Sequence, residues 1–364
     1  MRTLHYYPNN DSMVATYVTT ICDSMGSECF NDKTSDAADA LKRISDYHYD
    51  ILHLHGCWRN SLYRVVREAQ KKNIRIIVTP HGQLEPWVMN ENYWKEKLPK
   101  KLLYQKRIVS SAYVVIIQGK MEEECVKRLH WNKRMAIVPN SLITNAITSR
   151  QMVGQIYNVY REVLDSNPLE RMTDNTQHTL LQLIKVGITG DSRWLKESII
   201  TINDEEQWRM LLCYARQEQI EDIIKKGMRV VNLETPNIDL SKTSYFVPND
   251  YQPSKSIESV IGMQFASENE RLIATFRHIR KLLLRRKFTV MHLIELDKEL
   301  RQHDCDEEAL CEELSSRGLY QTAARTMQLM AEMSGLDEGF MPMRPINDRI
   351  TRKIKKQITN HLKL

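Results

Sequence analysis

Five short apolar runs constrain this chain more than anything else in it: "TLHYY" (3–7), "ILHLH" (51–55), "RIIVT" (75–79), "YVVII" (113–117) and "MAIVP" (135–139), all within the first 148 of 364 residues. A run this apolar has to be buried on both faces, and strands separated by helices lie parallel. The intervening segments have helical spacing. "SMVATYVTTICDSMG" follows the first run, and "SDAADALKRISDYHYD" comes next, with Ser35 as its expected N-cap. A helix is predicted from about Ser61 to Lys72 with Leu62, Val65, Val66 and Ala69 on one face, a Lys-rich helical segment over 93–111, and a short helix in "MEEECVKRLHW". The fold expected is α/β, a Rossmann-like parallel sheet followed by a mostly α-helical carboxy-terminal region. In such a sheet, ligands bind beyond the carboxyl ends of the strands.

The pattern changes near residue 148. "SRQMVGQIYNVYREVL" places Val153, Ile156, Tyr157, Tyr160 and Leu164 on one helical stripe, and helix-periodic segments then run to residue 334. The expected organisation is a domain at 1–148, a crossover helix at 149–168, and a mostly helical domain at 169–364 with a proline-rich loop or linker near 232–257. The net charge of +6 sits entirely in residues 1–148, with basic clusters at 95–107, 277–287 and 349–357 that suit phosphate or anionic lipid as well as a solvated helix face. Seven scattered cysteines without C-x-x-C spacing read as free thiols, not as a zinc site. No stretch approaches the roughly 18 apolar residues of a membrane span. The start "MRTLHYYP" enters a strand pattern without signal-peptide features, so a cytoplasmic location, peripheral on the inner membrane face at most, is expected.

Two of the strands end alike. "ILHLHG" and "RIIVTPHG" both finish with His-Gly, so His55 and His81 are expected at the same rim of the sheet, backed by Gly56 and Gly82 and followed by Trp58 and Trp87. An imidazole can hydrogen-bond a sugar hydroxyl or a phosphate oxygen, glycine permits close approach, and an indole stacks on the apolar face of a sugar.

Together "DILHLHGCW", "IIVTPHGQLEPW" and "IVPNS" resemble, in order and separation, the amino-terminal domain of the family 4-like glycosyltransferases of GT-B architecture. The resemblance covers about residues 1–145. It implies an acceptor-binding domain of a metal-independent hexosyltransferase, with His81 as the catalytic residue and His55, Gly56, Trp58, Gly82, Trp87 and Asn140 contacting substrate. It implies no bound cofactor, only a nucleotide sugar as donor substrate. Three departures stand out. The first loop, "PNNDS" (8–12), lacks the family's glycines and carries Asp11. The exit motif is Pro139-Asn140-Ser141 where the family has a glycine. The donor-domain motifs are missing, and "MVGQIYNVYREVL" (152–164) resembles the family's final crossover helix, arriving directly after the exit strand.

The leading expectation is a glycosyltransferase-like protein of bacterial surface polysaccharide biosynthesis. It would act on a saccharide or lipid-linked acceptor, with an anionic membrane surface and a partner glycosyltransferase as further partners. The alternative is a non-catalytic saccharide-binding or regulatory protein that binds a partner enzyme through its helical half. Nucleic acid is disfavoured, because the helical segments near 289–334 include the acidic "DCDEEALCEE".

Overall fold

The computed structural model describes residues 1–8, 12–27, 29–192, 202, 204–234, 237–240, 243–244, 256–302 and 304–359. The chain divides into two compact units, one centred on Met1–Ser166 and the other made of Asn167–Lys242 with Gln252–Lys363.

The first unit is a Rossmann-like α/β fold. Strands β1 (Arg2–Tyr6), β2 (Phe30–Thr34), β3 (Ile51–His55), β4 (Arg75–Thr79), β5 (Val114–Ile117) and β6 (Met135–Ile137) form one sheet in the order β2-β1-β3-β4-β5-β6. Every pairing is parallel. The five apolar runs supply β1 and β3–β6. β2, "FNDKT", has no such run because it is an edge strand, and only its last residue is buried.

Connections between parallel strands are almost always right-handed, so the direction of each step across the sheet decides the face its helix covers. The step from β1 to β2 goes one way and carries α1 (Ser12–Ser24). All later steps go the other way, through α2 (Ala37–Asp46), α3 (Asn60–Lys71), the 86–111 segment and α7 (Lys120–Leu129). One face would then be covered by α1 alone. The helix α8 (Ser149–Asp165) completes that face. Val14, Tyr17, Val18 and Ile21 of α1 share a core with Met152, Val153, Ile156 and Tyr160 of α8 and with Ile51, Ile77, Val114 and Ile116 of the strands. The alternate strand residues Leu52, Leu54, Ile76, Val78, Val115 and Ile117 pack with α2, α3 and α7 on the opposite face.

One local expectation is corrected. The N-cap of α2 is Asp36, not Ser35: the Asp36 carboxylate accepts from the backbone N–H groups of Ala38 and Asp39, both at 3.2 Å, and Ser35 lies one residue too early to reach them. The Lys-rich stretch expected to be helical over 93–111 is helical throughout, in mixed π and α turns. After α4 (Pro86–Asn90), π-type turns at Tyr93–Lys97 and Lys101–Gln105 flank α5 (Leu98–Lys100) and precede α6 (Lys106–Ser111). Pro99 has no N–H to continue the i→i−4 ladder, and i→i−5 bonds, Leu98 N–H to the Tyr93 carbonyl and Lys106 N–H to the Lys101 carbonyl, appear on either side of it. At α8 a capping box forms, Thr148 Oγ1 accepting from Gln151 N–H at 3.2 Å while Gln151 Oε1 accepts from Thr148 N–H at 2.8 Å.

The second unit has no strand among its described residues. Its helices are α9 (Asp174–Thr189), α10 (Glu205–Gln217), α11 (Glu221–Val230), α12 (Glu258–Ile261), α13 (Glu268–Leu284), α14 (Val290–Gln302), α15 (Glu307–Ser316), α16 (Tyr320–Met333) and α17 (Arg349–Thr359). The stretch 204–227 is two helices, broken where Gln219 turns into the left-handed region at φ 59°. The described residues of 232–257 are neither helix nor strand, and Pro236, Pro248 and Pro253 lie outside the described residues, as do Asn9, Asn10 and Asp11 of the first loop.

Within this unit α9 and α11 approach backbone to backbone. A Cβ at Gly187 would meet the Ile223 carbonyl oxygen at 2.1 Å, and one at Gly227 the Leu183 oxygen at 2.4 Å. Only glycine at both positions permits that separation. Gly187→Ala is therefore expected to destabilise the protein by about 1–3 kcal/mol in urea denaturation. Gly154→Ala, where nothing lies within 4 Å of the added carbon, is expected to stabilise α8 by roughly 0.5–1 kcal/mol. Equal effects of the two would show that close approach does not govern the α9–α11 packing.

Candidate functional site

Side chains alternate along a strand, so the histidines of "ILHLH", two apart, share a face. The β1–β3 register sets His5 beside His53, and the β3–β4 register sets His55 beside Thr79. Both pairs fall on the α1/α8 face. β1 and β3 also flank the point where the strand order reverses, the usual ligand position in an open sheet.

His5, His53 and His55 are at most 1% exposed. An unpaired polar group at that depth costs about 1–3 kcal/mol, and their nitrogens are paired. His53 Nδ1 meets Tyr160 OH at 2.6 Å and its Nε2 meets Thr79 Oγ1 at 2.7 Å, which ties the crossover helix to the sheet. His5 Nε2 faces Asn31 Oδ1 at 3.3 Å, and His5 Nδ1 faces His55 Nε2 at 3.1 Å. His55 Nδ1 continues to His81 Nε2 at 3.1 Å, and His81 Nδ1 to Gln118 Nε2 at 3.0 Å. A hydrogen-bonded row thus runs from Asn31 on the edge strand through three imidazoles to the rim. Burial pushes His5 down to about 4 and drives His53 and His55 well below the ordinary histidine range, the neighbouring imidazoles adding to the shift in those two. All three are neutral at pH 7.

At the rim, His81 and Gly82 both lie in the left-handed region, at φ 56° and 76°, as do Gly56 at 93° and Trp58 at 64°. His81 is half-buried, and the Tyr17 ring stands edge-on to it at 4.9 Å. Gln83 joins the two His-Gly loops: its Oε1 accepts from Cys57 N–H at 2.6 Å, and its carbonyl accepts from the Trp58 indole N–H at 2.9 Å. Glu122, 1% exposed, receives Leu84 N–H at 3.4 Å. Burial raises its carboxyl to about 7, against the lowering effect of the backbone amides of Leu84, Gln118 and Gly82.

The structure brings His55, Gly56, His81 and Gly82 together. It gives the other expected residues different surroundings. Gly56 is covered by the Gln83 amide, which a Cβ would meet at 3.5 Å, so its positive φ and not an open approach is what calls for glycine. Trp58 is 7% exposed, with the Lys97 ammonium 4.9 Å from the centre of its ring and Tyr104 OH on its carbonyl. Trp87, 66% exposed, donates its indole N–H to Glu85 Oε2 at 2.8 Å. Asn140 is buried in the loop after β6, three strands from β3, where its Oδ1 accepts from Leu142 N–H at 3.0 Å and forms a local turn.

His5, Tyr17, Asn31, His53, Gln83 and Gln118 join the site without having been expected there, and Tyr160, expected only on the apolar stripe of the crossover helix, joins it through His53. The His-x-His spacing with a histidine in the first strand was the available signal for His5 and His53. Among the described residues, His5, His53 and His55 are also the one trio whose ligating atoms lie within 4.8 Å of one another. The His53 and His55 rings overlap at 4.1 Å between centres, and their nitrogens are used in the bonds above, an arrangement suited to neutral hydrogen-bonded imidazoles, not to three lone pairs converging on a cation. All seven cysteines are free. No helix among the described residues is long and apolar enough to cross a membrane.

Residues 28–145, from just before β2 to the loop after β6, match the family model Glycosyltransferase Family 4, and the rest of the chain carries no family match. The matched part is glycosyltransferase-like. No curated protein and no solved structure matches the chain.

Two outcomes are expected from the buried row. Histidines held below their unfolded value of about 6.5 bind fewer protons folded than unfolded, so stability is full above pH 6.5 and falls as the pH drops towards the folded value, about 4 for His5. Each contributes a slope of at most about 1.4 kcal/mol per pH unit in that window. Urea denaturation of a His5→Asn variant should show a shallower fall between pH 6.5 and 4.5 than the parent; an identical slope would place that proton elsewhere. Tyr160→Phe removes the hydroxyl partner of His53 and should cost about 1–3 kcal/mol at pH 7.

Proposed function

We propose that this chain serves the acceptor side of a sugar transfer. A saccharide or lipid-linked acceptor rests against the loops after β3 and β4, and a hexosyl group reaches it from a nucleotide-sugar donor during surface polysaccharide assembly. The observation that supports this reading most is His81, which leaves β4 within the family-matched segment and ends the imidazole row half-buried at the carboxyl rim of the sheet.

With Nε2 turned inward to His55 and Nδ1 on Gln118, His81 meets an acceptor hydroxyl at Nδ1 once the Gln118 amide moves aside. Accepting that proton as the hydroxyl attacks the anomeric carbon is general-base work, worth typically 10²–10⁴-fold. A neutral imidazole is the form that can do it.

A donor site in this architecture needs a second nucleotide-binding domain. No strand follows Ile137 among the described residues, which supports a donor site supplied by a partner glycosyltransferase. The exposed Arg349, Arg352, Lys353 and Lys356 of α17 support peripheral attachment to anionic lipid. The cluster at 95–107 is partly committed inside the fold, with Lys97 against Trp58 and Lys101 5.8 Å from the centre of the Trp131 ring. The same lack of strands favours a second reading, a saccharide-binding or regulatory subunit without catalysis.

A transfer screen with nucleotide sugars, run with and without neighbouring pathway enzymes, separates the two. His81→Ala is expected to lower transfer at least about 10²-fold while the protein stays folded, at a somewhat lower melting temperature because His55 Nδ1 loses its partner. Undiminished turnover in that variant would remove His81 from the chemistry. Saccharide binding without transfer under any combination would establish the non-catalytic reading.

A further inference from the structure

We propose that Asn31, His5 and His55 act as a positioning relay that fixes His81 with its proton on Nε2 and its lone pair on Nδ1, directed at a ligand hydroxyl. This deepens the acceptor-side reading above and rests on it for the identity of the ligand, but not for the direction of the relay.

The direction follows from the two ends. Asn31 Nδ2 donates to the Cys29 carbonyl at 3.2 Å, which turns Oδ1 towards His5. A carbonyl oxygen only accepts, so His5 Nε2 carries the proton at that 3.3 Å bond. A neutral His5 then has a bare Nδ1, which accepts from His55 Nε2–H, and the bare Nδ1 of His55 accepts from His81 Nε2–H, both at 3.1 Å. That leaves His81 Nδ1 as an acceptor, opposite the Gln118 amide nitrogen at 3.0 Å, a group that only donates. The opposite direction would set a lone pair against the Asn31 oxygen and an N–H against the Gln118 NH2. The Asn31 end, fixed by its bond to the Cys29 carbonyl, sets the tautomer at His81, and the Gln118 end agrees with it.

The consequence is chemical. An imidazole that donates through one nitrogen is a stronger acceptor at the other, and successive bonds of one direction reinforce each other by roughly 10–30% each. Gln118 holds the place of the ligand hydroxyl until one arrives. When that hydroxyl attacks, its oxygen bonds to the anomeric carbon, the bond to the leaving nucleoside diphosphate breaks and takes the electron pair, and the hydroxyl proton goes to His81 Nδ1. The relay orients and does not conduct: its far end is an amide oxygen, which cannot take the proton onward. His5, His55 and Asn31 are positioning residues, and only His81 touches the reacting atoms.

The test is nitrogen NMR of the histidine-labelled full-length protein at pH 7 without ligand. His81, His55 and His5 should each show a protonated Nε2 and an unprotonated Nδ1. In Asn31→Leu, His81 should become a mixture of tautomers while the amide spectrum keeps its native dispersion, and in the transfer assay kcat should fall with little change in KM. The wild-type spectrum decides the direction even if that variant fails to fold. A proton on His81 Nδ1, a charged His81, or a shift of the His5, His53 and His55 nitrogens on adding zinc would overturn the relay. If the tautomers are as stated and His81→Ala still transfers sugar, the direction of the row stands and the proton transfer to His81 fails.

Discussion

Three imidazoles enclosed between a parallel sheet and two helices set the terms for the first unit. Apolar burial alone would be satisfied by aliphatic side chains at residues 5, 53 and 55. Histidines there each bring two polar nitrogens that have to be paired in the dry interior or cost stability. The surrounding residues meet that demand. Thr79 and Tyr160 serve His53, Asn31 serves His5, and His55 is held between His5 and His81. Tyr160 belongs to α8, so the helix that seals the face also completes the polar layer beneath it.

The topology explains why that helix is required. With a single reversal in strand order, right-handed connections load one face with most of the helices and leave the other to α1. α8 follows the last strand closely and fills the vacancy, so the unit closes its own core. A sheet that needed a second Rossmann-like domain to cover this face would read differently. The reversal lies between β1 and β3, and the imidazole row crosses it on the way to the rim.

Much of this was legible in the residues. The five apolar runs gave five of the six strands, and the stripe Leu62, Val65, Val66 and Ala69 became the buried face of α3. The paired His-Gly strand ends placed His55 and His81 at one rim, and the order of three motifs anticipated the family match at 28–145. β2 escaped because an edge strand with one side open needs few apolar residues. Trp58 reads in sequence as a surface ring for a sugar, yet its indole N–H and its carbonyl are both taken up by the packing of the loops after β3 and β4. Asn140 sits in a motif, and its side-chain oxygen accepts from the Leu142 N–H in the turn that follows it.

The sequence by itself determined the local periods: where strands and helices form, which residues of each are apolar, and that two strands end on His-Gly. Those are properties of neighbours along the chain, and period-2 and period-3.6 patterns carry them. Only the tertiary structure decided that His5, Asn31 and Gln118, separated by up to 113 positions, complete one hydrogen-bonded row with His55 and His81. Strand order and register bring such residues together, and both arise from the packing of whole elements, which no local pattern encodes.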